Sequence, residues 1–263
     1  MQGHIMMGTT QTGGQDLEKY FASYVGMEGG NPRSKIWFCD VAPHPAMPGL
    51  QRPLEPAFAP PSWNDSFRKS HGAQMGKWLG HQRIAKVMTA CVSALQGRHA
   101  GPREWEDYFR ASLYRPEGNE FKINLYPLPL RPRMDISWRD AYGHDPLLVR
   151  KAQFIDVCHF GGRFAFLKAI TRNWAPRVVV CINKTYSSQY IDAFGLAPLR
   201  PAVEVLQPAD LTVKLIVYQD AQTRWVLCPP LAGPVGMSSD SQLSSFGELL
   251  ANWCREPAPA TVM

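Results

Sequence analysis

Short apolar runs recur along the chain, and polar residues, glycine or proline bound each of them. Ser34 to Cys39 is one such run, and Glu120 to Pro129 is a second that ends in a proline-bounded loop. Arg177 to Ile182 is rich in β-branched residues, which is typical of a parallel strand buried on both faces. Thr212 to Tyr218 and Thr223 to Cys228 flank a short polar turn and predict a hairpin.

The segments between these runs carry apolar residues at helical spacing. Helices are predicted over Asp16 to Val25, Gln74 to Leu95, Trp105 to Leu113, Arg150 to Arg172, Thr185 to Phe194 and Ser238 to Cys254. The alternation favours a three-layer α/β/α domain around a four-stranded, mostly parallel sheet. We expect a single domain over residues 16–255, with flexible tails at 1–15 and 256–263. The proline-rich stretch from Pro43 to Trp63 has little periodicity and predicts a long loop.

The composition indicates a folded protein: 45% of the residues are hydrophobic and 11% are aromatic. No apolar run approaches the roughly 20 residues of a membrane span, and the N-terminal stretch lacks an apolar signal core. The six cysteines are scattered and include no C-x-x-C pair. We therefore expect a cytoplasmic protein with buried thiols, and without disulfides, a metal site or a cofactor.

The chain is basic, with 28 Lys and Arg against 22 Asp and Glu and a net charge of +6. Most of these cations are arginine, whose planar fork suits phosphate oxygens. This balance favours a polyanionic partner such as DNA. A mildly basic enzyme without a nucleic acid partner is the alternative. No obligate protein partner is inferred, and the charge leaves the oligomeric state open.

Three short segments follow predicted strands, where open α/β sheets bind their ligands. Asp40 to His44 reads D-V-A-P-H, Asn124 to Leu128 reads N-L-Y-P-L, and Cys228 to Leu231 reads C-P-P-L. Taken in order, these segments resemble three motifs of the uracil-DNA glycosylase superfamily. The first shares the A-P core of two family branches, the second is similar to the N-Y-C-P-L of the single-strand-selective branch, and the third lies at the place of H-P-S-P.

The resemblance covers roughly Ser34 to Cys254 and implies a glycosylase fold that extrudes a nucleotide and hydrolyses its glycosidic bond. The departures are Asp40 at the first glycine, Ala42 where one branch has a water-activating aspartate, and Cys228 where most branches have histidine. The family therefore implies a specialised glycosylase or a fold that has lost catalysis.

Breaking a glycosidic bond builds positive charge on the sugar, and a nearby carboxylate stabilises that charge and orients water. Asp40 is the acid nearest the first motif, and His44 could polarise the leaving base or position water. The alternatives are an aspartate that caps its own loop and a histidine bonded to backbone. The resemblance assigns base recognition to Asn124, whose amide can read a base edge. Tyr126 either stacks on the extruded base or packs in the core.

Candidate phosphate contacts come from Ser238 and Ser239, at the start of the last predicted helix, and from Arg131 in an arginine-rich loop. Simple helix capping and solvated loop side chains are the alternatives. The altered motif positions and the long proline-rich loop suggest a site for a base larger than uracil. A bulky hypermodified pyrimidine of phage DNA, such as glucosylated hydroxymethylcytosine, is the expected substrate, which implies antiviral defence. The alternative is a non-catalytic nucleic-acid-binding protein that keeps the glycosylase fold.

Overall fold

The computed structural model describes residues 16–44, 50, 53–131, 136–233 and 235–256, and it contains a seven-stranded mixed sheet. The strands are β1 (Gly29–Gly30), β2 (Ile36–Asp40), β3 (Glu120–Asn124), β4 (Val178–Ile182), β5 (Ala202–Leu206), β6 (Val213–Gln219) and β7 (Arg224–Cys228). Their order in the sheet is β1-β3-β2-β4-β7-β6-β5. The predicted α/β class is confirmed.

The centre of the sheet is parallel, because β2 pairs in parallel with β3 and with β4, and β4 pairs in parallel with β7. The remaining pairs, β1 with β3, β5 with β6 and β6 with β7, are antiparallel. The predicted hairpin is therefore correct, whereas the predicted strand total of four is too low. The pattern missed β5 because four of its five residues are exposed, so no buried apolar run marks it.

The helices cover both faces of the sheet. They are α1 (Asp65–Met75), α2 (Leu79–Leu95), α3 (Glu104–Asp107), α4 (Trp138–Tyr142), α5 (Lys151–Phe160), α6 (Arg163–Trp174), α7 (Ser187–Phe194) and α8 (Asp240–Arg255), with a π-helical turn at Tyr108–Ser112 and a 3-10 turn at Lys184–Tyr186. In β2, Ile36 and Phe38 face a core shared with α2 and α8, while Trp37 and Cys39 face a core shared with α5, α6 and α7. Burial on both faces is what central parallel strands require.

Two helical predictions differ from the structure in detail. The helix expected over Arg150 to Arg172 divides into α5 and α6 at Gly161 and Gly162, and Gly162 has a φ of +103° that a helix does not accommodate. The predicted loop ends where Asn64 caps α1 by accepting a hydrogen bond from the Phe67 amide, 2.9 Å away. The helix predicted over Asp16 to Val25 is shorter in the structure and covers residues 16–21.

None of the helices in the described part of the chain has the length and apolar character needed to cross a membrane. The tail expected at 1–15 lies outside the described residues, as do residues 257–263 of the tail expected at 256–263 and residues 45–49 and 51–52 of the predicted loop. All six cysteines are free and buried. They act as small hydrophobic side chains in the two cores.

Candidate functional site

The site forms at the carboxyl ends of the central strands. Asp40 ends β2 and lies in register with Asn124, which ends the neighbouring β3. The chain leaves β2 for β3 on one side and later reaches β4 on the other side of β2. This reversal beside β2 is the kind of position where open α/β sheets bind ligands. The topology thus places Asp40 at the edge where a binding crevice is expected.

The Asp40 carboxyl has one oxygen bound locally and one facing a buried cation. Its Oδ1 accepts a hydrogen bond of 2.7 Å from the Val41 amide. Its Oδ2 lies 3.9 Å from the Lys122 ammonium, and 39% of the Asp40 side chain is exposed. The surrounding protein raises the pKa of Asp40, while Lys122 and the Val41 amide oppose that rise. Asp40 is therefore a solvent-accessible carboxyl with a buried positive charge behind it.

Lys122 belongs to a buried polar network. Its ammonium donates a hydrogen bond of 2.7 Å to Asn124 Oδ1 and lies 3.4 Å from Glu28 Oε2. Asn124 Nδ2 donates to the same Glu28 oxygen at 2.9 Å and to the Gly26 carbonyl at 2.7 Å. Lys122 and Glu28 expose only 1% and 2% of their side chains. A lysine this deeply buried needs such partners to remain charged.

His81, on α2, extends the network towards the loop that follows β2. Its Nε2 lies 3.8 Å from Glu28 Oε1, and its Nδ1 lies 3.1 Å from the Tyr114 hydroxyl. Burial lowers the pKa of His81 well below its usual value, and the neighbouring side chains of Lys122 and His44 lower it further. His81 is therefore neutral near neutral pH, and exposed His44 lies within electrostatic range of it.

The structure gives Asn124 a different place from the one expected. Its side chain is fully buried, and both amide hydrogens are donated to Gly26 and Glu28. The amide thus has no free donor for a base edge, and we assign Asn124 to the network that holds Lys122. Tyr126 is 1% exposed and packs against Phe154 and Phe164, so core packing describes it rather than base stacking.

The expected phosphate contacts are spread apart. The Ser239 hydroxyl caps α8 by accepting from the Gln242 amide at 3.1 Å, and it lies close enough to Asp210 to lower the pKa of that carboxyl. Asp240 follows in the first turn of α8, so this helix start carries two acidic side chains that disfavour phosphate. Ser238 is exposed and donates its backbone amide to Gln242. Capping therefore describes Ser239, whereas Ser238 precedes the cap and contributes its backbone amide.

Arg131 remains an exposed cation on the loop after β3. Burial lowers the pKa of the Lys151 amine, and the nearby Arg131 lowers it further. Its neighbour Arg133 lies outside the described residues. The charged side chain of Arg131 therefore stays available for a phosphate contact. Cys228, at the end of β7, is completely buried, and burial raises the pKa of its thiol, so it is not a ready nucleophile.

Sequence reasoning missed Glu28, Lys122 and His81. One signal could have revealed part of this network, because Glu120, Lys122 and Asn124 alternate along β3 and must share one face of a buried strand. Three polar residues on such a face require partners inside the protein. Glu28 and His81 come from distant segments, and their spacing in the sequence gives no comparable signal.

The described residues contain no group of three or more His, Cys, Asp or Glu side chains placed to hold a metal ion, and we assign none. Comparison with models of known protein families, with curated proteins and with solved structures finds no match to this chain. Its function is therefore argued from the site itself.

Proposed function

We propose that this chain is a monofunctional DNA glycosylase that hydrolyses the bond between a flipped base and its deoxyribose. The observation that carries the proposal is Asp40, an accessible carboxyl at the end of β2 with Lys122 buried 3.9 Å behind it. The central strand order β3-β2-β4-β7 and the motif resemblance support a glycosylase-like fold. The net charge of +6 supports DNA as the partner.

The chemistry follows from the position of Asp40. As the C–N bond breaks, its electron pair leaves with the base, and positive charge develops on the sugar. Ionised Asp40 stabilises that charge and orients a water, which adds to the anomeric carbon; the proton that this water loses neutralises the departing base anion. Exposed His44, on the same loop, is the group that hydrogen-bonds the departing base. Asn124 and Tyr126 are given no part in reading the base, because their side chains are held inside the protein.

The proposed substrate is a bulky hypermodified pyrimidine such as glucosylated hydroxymethylcytosine. The altered motif residues Val41, Ala42 and Cys228 support this class of base, because they replace residues that suit uracil in the resembled family. Excision of such a base from phage DNA would be an antiviral activity.

The test incubates the protein with phage DNA carrying glucosylated cytosine, with the same DNA unmodified and with uracil-containing DNA, followed by alkaline cleavage at abasic sites. Abasic sites in the glucosylated DNA are expected. Asp40→Asn should lower the rate by about 100-fold or more, because it removes a charge used mainly in the transition state. DNA affinity should change little.

The matched control is Asp107→Asn, at an exposed aspartate on α3, and this variant should keep the full rate. Full activity in Asp40→Asn would contradict the proposal, and cleavage of uracil DNA alone would overturn the substrate.

The second candidate is a nucleic-acid-binding protein without hydrolysis. The specific observation in its favour is that Asn124, which resembles the base-recognising asparagine of the family, and Tyr126, the candidate stacking residue, are occupied within the protein. This candidate predicts DNA binding without abasic sites in any of the three DNAs. Affinity should fall steeply between about 50 and 200 mM salt in both cases, because phosphate contacts release counterions.

A further inference from the structure

A cavity lies between α1, the first turn of α2, α3 and the π-helical turn, and Asp40 is not part of its lining. Its volume is about 450 Å³, and its apolar lining includes Met75, Trp105 and Phe109. This size is within the range of sites that bind small organic molecules. The cavity shares no lining residue with the network around Lys122.

Two glycines on the rim of this cavity are not demanded by the fold. Gly72 lies inside α1 and Gly76 caps its end, and a Cβ added to either would meet nothing within 4 Å. Neither has the positive φ that favours glycine. Glycine inside a helix is less stable than alanine, so its presence at Gly72 calls for another reason. Keeping the rim of the cavity open is a reason that the geometry supplies.

Arg68 brings a fixed positive charge to the cavity wall. Its two Nη atoms donate to carbonyls at the π-helical turn, including those of Phe109 at 3.2 Å and Arg110 at 2.6 Å. Its Nε is buried and has no hydrogen-bond partner among the described residues. A buried N–H without an acceptor is unfavourable, so the backbone acceptors compensate the Arg68 guanidinium incompletely, and its charge attracts an anion in the cavity. The π-helical turn that positions Arg68 is itself a feature common at functional sites.

The other charged groups of the lining favour an anion. Arg110 exposes 71% of its side chain and lies 3.5 Å from Glu106, a long contact that leaves the guanidinium available. Glu106 is also bound by Arg103 at 2.8 Å, so its charge is already balanced from outside the cavity. Gln82 also lines the cavity, and its Nε2 donates a hydrogen bond of 2.8 Å to the Gly76 carbonyl. The aromatic side chains of Trp105 and Phe109 therefore line the same cavity as two cations, Arg68 and Arg110.

We propose that this cavity binds a small aromatic anion, with its ring against Trp105 and Phe109 and its carboxylate or phosphate at Arg68 and Arg110. Carboxylates and phosphates share the recognition chemistry of the guanidinium group. The site is independent of Asp40, so its failure and the failure of the proposed glycosylase activity are distinguishable.

The test titrates the protein with 1-anilinonaphthalene-8-sulfonate as a fluorescent aromatic anion, and then competes it with adenosine monophosphate, indole-3-acetate, adenosine and inorganic phosphate. Saturable binding displaced by one of the first two, and not by adenosine or phosphate, supports the proposal and distinguishes phosphate from carboxylate ligands. Displacement by adenosine as well, or by phosphate alone, would contradict it, as would the absence of saturable binding.

Variants locate the site. Gly72→Leu should abolish binding by filling the rim, and Arg110→Gln should weaken it about tenfold because a charged hydrogen bond is lost. The matched control is Gly80→Leu, because Gly80 is also an exposed glycine with open space at its Cβ but does not line the cavity. Circular dichroism checks that each variant is folded. Unchanged binding in folded Gly72→Leu and Arg110→Gln, or equal loss in Gly80→Leu, would overturn the proposal. Asp40→Asn should bind the probe normally.

Discussion

Two buried cations stand at the same edge of the sheet, and the protein stabilises them in different ways. Lys122, on β3, is 1% exposed and is surrounded by Glu28, Asn124 and Asp40. Arg163 begins α6, the helix over the opposite face, and is fully buried. Within the described residues its guanidinium donates only to backbone carbonyls, those of Phe21, Ser23, Val25, Asn124 and Leu125.

The difference separates a structural cation from one that acts on a neighbouring acid. The five carbonyl contacts of Arg163 tie residues 21–25 to the end of β3, and its rigid fork suits several fixed acceptors at once. Burial lowers the pKa of Arg163 to about 10, which leaves it charged near neutral pH. Lys122 instead faces two carboxylates, so its charge is balanced and in turn favours ionised Asp40. Both cations tie segments together at this edge of the sheet, and Lys122 also lies 3.9 Å from the accessible carboxyl of Asp40.

The largest effect is expected at Arg163. Arg163→Met should lower the free energy of unfolding by about 5 kcal/mol, because five buried carbonyls lose a charged donor. Arg163→Lys should recover part of this loss, since an ammonium offers three donors instead of five. Urea denaturation measures all three proteins. A loss below about 1 kcal/mol in Arg163→Met would show that these contacts do not hold the segment.

A smaller loss is expected at Lys122. Lys122→Met should cost about 3 kcal/mol near neutral pH, because Glu28 is left buried with an unbalanced charge. The loss should shrink in acid, where protonation of the carboxylates removes that charge. Lys122→Met should also raise the pKa of Asp40, measured by carbon-13 carboxyl titration, since the opposing positive charge is gone.

Two controls separate this electrostatic role from packing. Adding Glu28→Gln to Lys122→Met should restore much of the stability, because the unpaired carboxylate is then neutral. Lys69→Met, at an exposed position on α1, should leave both stability and the Asp40 titration unchanged. An unchanged Asp40 titration in Lys122→Met would remove the electrostatic link between the two residues.

The two cations also differ in how far the sequence reveals them. Lys122 stands in a strand-length run with polar residues on either side at alternate positions, which is visible as a buried polar face. Arg163 follows two glycines in a helical pattern, and its five acceptors come from segments about 40 and 140 residues away. The strands β2, β4 and β7 were predictable because buried parallel strands are continuously apolar. The position of Asp40 at the edge of the sheet was predictable because this residue ends β2.

The remaining misses have similar physical causes. Asn124 carries the family-like motif, but its orientation depends on Glu28 and Gly26, which the sequence places almost one hundred positions earlier. Ser239 lies near Asp210, which belongs to a loop without a recognisable pattern. Local periodicity thus predicts where the edge of the sheet lies, whereas long-range polar pairing decides which side chains remain available there.

The smallest effect concerns the contribution that ionisation of Asp40 makes to the stability of the folded protein. The folded protein raises the pKa of Asp40, so folding disfavours the ionised form, and stability falls as the pH rises from its unfolded value through its folded one. Asp40→Asn removes this effect and should stabilise the protein at neutral pH. The gain should stay below about 1 kcal/mol, because 39% of the side chain is exposed and solvent screens the charge. It should vanish below the unfolded pKa of aspartate, near 3.9. Urea denaturation across pH, with Asp107→Asn as the control, measures it. A gain that is independent of pH would point to packing, and a loss at neutral pH would show that Lys122 stabilises ionised Asp40 by more than burial disfavours it.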